Sequence, residues 1–129
     1  MILNNGNSFF DWIDKCFEEK WPKNIISYCF NLYEGEEPYC FHVQIIGSNS
    51  YDSEGEWVCE EEKSTGEDVF YFSEKEAGKS WKDGLKYIHS KVKTYLEAGK
   101  FSKMLKEKSV VAIGFVDGDL EIVYKNRET

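Results

Sequence analysis

The chain has 129 residues, 41% of them hydrophobic and 16% aromatic, with a formal net charge of −8. That aromatic content excludes disorder as the main state, and the length excludes two comfortable domains. No run approaches the ~20 apolar residues needed to cross a bilayer, and Met1–Gly6 lacks a basic region and a long apolar stretch, so neither a membrane span nor a signal peptide is expected.

The first element is an amphipathic helix from Ser8 to Lys20, because Phe9, Trp12, Ile13, Cys16 and Phe17 recur on one helical face. Asn7 or Ser8 supplies the N-cap oxygen, and Pro22 ends the helix near Trp21. A hairpin follows. Ile26, Tyr28, Phe30 and Leu32 alternate in the first strand, and Tyr39, Phe41, Val43 and Ile45 in the second. A loop of Gly35, Glu36, Glu37 and Pro38 would pair Leu32 with Phe41, Phe30 with Val43 and Tyr28 with Ile45, on one face.

Residues 47–55 read as a loop, Glu56–Glu60 as a third strand, Glu61–Asp68 as a second loop and Val69–Phe72 as a fourth strand. Two N-capping spacings, Ser73 with Glu76 and Ser80 with Asp83, precede a long helix, and Gly78 and Gly84 favour the later start. Trp81, Leu85, Ile88, Val92, Tyr95 and Leu96 form its apolar stripe, with Lys79, Lys82, Lys86 and Lys93 along one flank. Gly99 stops the helix, and Phe101, Met104 and Leu105 suggest a further turn or two. Ser109–Val116 and Asp119–Tyr124 form a hairpin on the turn Asp117-Gly118, pairing Phe115 with Leu120, Ile113 with Ile122 and Val111 with Tyr124. Residues 125–129 are a polar tail.

The expected architecture is therefore one α+β domain over residues 1–129. It has a mainly antiparallel sheet of about six strands, with two main helices packed on one face, in the order α-β-β-β-β-α-β-β.

Cys16, Cys29, Cys40 and Cys59 are spaced 13, 11 and 19 apart, with no C-x-x-C pair, which argues for free thiols rather than a zinc site or disulfides and for a cytoplasmic protein. No nucleotide-binding, hydrolase or metalloprotease motif is present, so no cofactor, no metal and no enzymatic activity are expected. His42 and His89 are the residues that a rival reading would use, as a small enzyme or ligand-binding module with a pocket between sheet and helices.

Charge is the most informative feature. Residues 34–68 carry eleven acids and one base, Lys63, for a net of −10, whereas residues 73–108 carry a net of +5. Carboxylates interleaved with aromatics suit a partner with a basic cleft, because attraction speeds encounter and buried aromatics supply affinity. The candidate contact residues are Glu34, Glu36, Glu37, Tyr51, Asp52, Glu54, Glu56, Trp57, Glu60, Glu61 and Glu62. A net charge of −8 would repel a nucleic acid at long range.

In its size, acidity, Trp57-Val58-Cys59 alternation, Val69–Phe72 run and closing Gly114–Leu120 segment, the chain resembles the small acidic immunity proteins of bacterial contact-dependent growth inhibition and related polymorphic toxin systems. Those proteins share no common signature and use many folds, so no residue role is transferred. The resemblance implies a non-enzymatic inhibitor, a monomer or a one-to-one complex with its cognate toxin domain, a nuclease with a basic cleft.

Overall fold

The structure, a computed structural model, describes residues 3–34, 39–51, 61–66, 68–78, 80–115 and 120–126. A 3-10 turn, Leu3–Gly6, leads into α1, Phe9–Glu18. Ser8 and Asp11 close a reciprocal cap: the Asp11 N–H donates to Ser8 Oγ at 3.1 Å and the Ser8 N–H to Asp11 Oδ2 at 3.4 Å. The helix buries the five residues that its periodicity marked. It ends two residues earlier than expected, and the chain is extended at Glu19.

Strands β1 (Ser27–Glu34) and β2 (Tyr39–Ser48) form the expected antiparallel hairpin, but the register differs. Leu32 pairs with Val43, Phe30 with Ile45, and Tyr28 with Gly47. The shift is two residues, which leaves every side chain on its expected face, so hydrophobic alternation cannot detect it. Gly47 reveals the constraint. A Cβ there would lie 2.7 Å from Ile25 Cδ1 and 3.1 Å from the Tyr28 ring, so glycine alone fits opposite Tyr28. Ile26 falls just outside β1 and is exposed.

Two short strands share β2 as a partner. β3, Glu61–Ser64, pairs with Ile46–Ser48, and β4, Phe70–Ser73, pairs with Tyr39–Val43. β3 occupies residues expected to be loop, while the strand expected at Glu56–Glu60 lies outside the described residues. At β4, Asn4 completes the outer ladder: its Nδ2 donates to the Tyr71 carbonyl and the Tyr71 N–H donates to Asn4 Oδ1, both at 2.9 Å. An amide side chain thus stands in for a neighbouring strand.

Both serine caps are used. Ser73 Oγ accepts from the Glu76 N–H at α2, Glu74–Ala77, and Ser80 Oγ accepts from the Asp83 N–H at α3, Trp81–Ala98. Gly78, at φ +87, makes the break between them. α3 buries Ile88, Val92, Tyr95 and Leu96 as expected, yet Trp81 is 52% exposed. A short α4, Ser102–Lys106, follows.

β5 (Val110–Phe115) pairs with β6 (Glu121–Lys125) and lies parallel to β1 on its other side. Val111 faces Tyr124 as expected, but Ala112 faces Ile122 and Ile113 faces Glu121. An extra residue in β6 breaks the alternation, so Ile122 turns outward and Glu121 turns toward α3. The expected turn at Asp117-Gly118 lies outside the described residues.

The result is α+β: an open mixed sheet of six strands among the described residues, ordered β3-β2-β1-β5-β6, with β4 beside β2. Phe9, Ile13 and Phe17 of α1 and Ile88, Val92 and Tyr95 of α3 share one core with Tyr28, Phe30, Leu32, Val43, Val111 and Ile113, which puts both helices on one sheet face. On the other face, Cys29 and Ala112 are fully buried beneath half-buried Tyr51 and Leu120. As central strands, β1 and β5 are covered on both sides.

Candidate functional site

Four of the candidate contact residues are described: Glu34, Tyr51, Glu61 and Glu62. Glu36, Glu37, Asp52, Glu54, Glu56, Trp57 and Glu60 lie outside the described residues. β2 sets the geometry. Glu34 pairs with Phe41 and Glu61 with Ser48, so seven residues of strand, ~23 Å at 3.3 Å each, separate the two. Glu34 therefore belongs to the opposite end of the sheet from Glu61 and Glu62. Tyr51 belongs with the latter, because it follows β2 by three residues and packs over Cys29 and Val110 near the start of β1 and β5.

At this end β3 forms a sheet edge. The register jumps at Gly47 and Ser48, which leaves Glu62 as an extra residue between the paired Glu61 and Lys63. Ordinary alternation would put neighbouring side chains on opposite faces, whereas here Glu61 and Glu62 are both exposed. The lone base of the acidic segment is directed elsewhere. Lys63 Nζ donates to the Lys20 carbonyl at 2.7 Å, lies 3.7 Å from Glu19 Oε2 and sits 4.9 Å above the Trp21 ring. Among the described residues no cation pairs with Glu34, Glu61 or Glu62. Tyr51 carries Lys125 Nζ 5.4 Å from its ring centroid.

The two histidines do not converge. His42 lies on the sheet face away from the helices, stacked on Tyr33 at 5.0 Å and 9°, and burial lowers its pKa. Tyr33 and Gln44 hold that strip together through a hydroxyl donating to Oε1 at 3.0 Å, and Gln44 Nε2 donates to the Gly66 carbonyl. His89 is on α3, across the sheet. One cannot act as base while the other acts as acid on a single substrate, because the sheet stands between them. No three His, Cys, Asp or Glu side chains among the described residues are placed to hold a metal.

A second surface escaped the sequence reading. Between α3 and β6 runs an open groove of about 480 Å³, lined by Trp81, Leu85, His89 and Glu121 and by Lys82, Lys86 and Lys93. Glu121 Oε1 lies 2.5 Å from His89 Nδ1, off the direction of a hydrogen bond to the ring. The lysine flank was visible in the sequence. The missing signals were Trp81, assigned to the core, and Glu121, brought onto the helix side by the irregularity in β6.

Cys16 and Cys29 are buried free thiols, and burial pushes both up to about 12. Among the described residues no helix is long and apolar enough to cross a membrane. Compared with known proteins, the chain matches no family model, no curated protein and no solved structure.

Proposed function

We propose that this protein is a non-enzymatic immunity protein that binds and neutralises a cognate toxin domain, a nuclease with a basic cleft, by covering its active site or the surface beside it. The observation that carries this reading is the pair of exposed carboxylates on the β3 edge, Glu61 and Glu62, which have no counter-charge among the described residues and lie within a segment with a net charge of −10. A charge left unneutralised by its own molecule raises the local potential and accelerates encounter with an opposite surface. Tyr51 and Trp57 are the aromatic anchors of the contact, and Asp52, Glu54, Glu56 and Glu60 extend its charge. Glu34 is peripheral to it, given the strand length that separates Glu34 from Glu61.

The test pairs the chain with the C-terminal domain encoded immediately upstream of its gene. Neutralisation of that domain's toxicity in co-expression is expected. Glu61→Lys with Glu62→Lys should slow association roughly tenfold at low salt, with the difference vanishing at high salt. Unchanged association kinetics would remove the β3 edge from the contact, and failure to neutralise would remove the immunity assignment.

A further inference from the structure

We propose that the groove between α3 and β6 is a docking site for an acidic segment of a partner protein, separate from the β3 edge and opposite to it in charge. The two surfaces lie at opposite edges of the sheet, β3 at one and β6 at the other. At 100° per residue, Lys82, Lys86 and Lys93 fall within about 40° of one another around α3. Among the described residues no carboxylate pairs with any of the three. The groove's one carboxylate among the described residues, Glu121, lies against His89 rather than against a lysine, so no described carboxylate competes with a ligand for the ammonium groups. The α3 N-terminus, at Trp81 and Lys82, adds the positive end of an 18-residue helix dipole.

Trp81 provides the apolar half of the site. It is half exposed, with Lys82 Nζ 5.6 Å from its ring centroid, and Leu85 continues the surface. An exposed indole beside lysines fits a peptide that alternates carboxylates with an apolar anchor. The lysine band runs ~16 Å from Lys82 to Lys93 at 1.5 Å per residue, which matches about five residues of extended chain. A nucleic acid fits less well: a single aromatic makes no stacking platform, and the net charge of −8 opposes a long polyanion.

A short fluorescein-labelled peptide of glutamates interrupted by Phe and Leu is the probe, followed by anisotropy and by tryptophan emission. Binding to the full chain is expected at low salt, weakened roughly tenfold by Lys86→Glu with Lys93→Glu and also weakened by Trp81→Ala. These residues are exposed, so the variants should melt with the parent protein. No binding, or equal binding to all variants, overturns the proposal. So does tighter binding of a single-stranded oligonucleotide at the same groove, or a dimer in sedimentation that Lys86→Glu dissociates, which would give the groove to a second copy. Because the β3 edge is untouched by these substitutions, loss of peptide binding with toxin neutralisation intact separates this site from the proposed inhibitory one.

Discussion

Tyr95→Phe removes one buried oxygen that ties three helices together. The Tyr95 hydroxyl donates to Asp14 Oδ1 of α1 at 2.6 Å and accepts at 3.1 Å from the N–H of Phe101, the N-cap residue of α4. The ring is 1% exposed and packs against Phe10 at 5.4 Å, contacts that Phe preserves. A hydrogen bond to a charged group contributes ~1.5–3 kcal/mol, and a stranded buried N–H costs ~1–3 kcal/mol. Asp14 is half-buried and regains water, which brings the loss to about 2–3 kcal/mol. Such a loss is a sizeable fraction of the roughly 6–19 kcal/mol typical of a chain this long. Calorimetry should show Tm falling by roughly 8–12 °C, and a double-mutant cycle with Asp14→Ala should be non-additive by about 1 kcal/mol. A fall under about 2 °C, or an additive cycle, would refute the reasoning.

The same hydroxyl predicts a pH effect. Burial, then the bond to Asp14, raises its pKa above the ordinary 10. The folded state therefore keeps the proton after the unfolded chain has released it, and this contribution is complete below pH 10 and declines above it. Tyr95→Phe should flatten the alkaline limb of the stability profile.

Cys16 and Cys29, raised from 9 to about 12 by burial, should resist alkylation at pH 8 at a rate set by unfolding. Labelling as fast as a free thiol in the native protein would contradict their placement. Gly47→Ala should destabilise by about 1–3 kcal/mol in urea, because Ile25 and Tyr28 are too buried to yield; a neutral change would point back to the unshifted hairpin register. Asn4→Gly keeps the positive φ but loses both bonds to Tyr71, so a cost of about 1–2 kcal/mol is expected, with faster amide exchange at Tyr71. Unchanged exchange there would mean that Asn4 does not close the β4 edge.

Helix α1, both serine caps, the faces of β1 and β2 and the stripe of α3 were legible because each rests on periodicity or a spacing of three or four residues. The candidate site was less so. Carboxylates adjacent in sequence suggested one patch, but β2 is long enough to carry Glu34 away from Glu61 and Glu62. Lys63, the obvious neutraliser, is drawn off by the Lys20 carbonyl and Trp21, which no local pattern announces.

What the chain determined by itself was which residues of α1, β1, β2 and the later turns of α3 face inward and where those helices begin, since period and capping chemistry act over a few residues. Tertiary structure decided the parallel pairing of β1 with β5, the two-residue register and the outward turn of Ile122. A parallel pair joins strands distant in sequence, a two-residue shift leaves the alternation intact, and an extra residue reverses it locally. The groove beside α3 arises from the same cause: a lysine flank written in the helix shares a groove with Glu121 only because β6 departs from regular pairing.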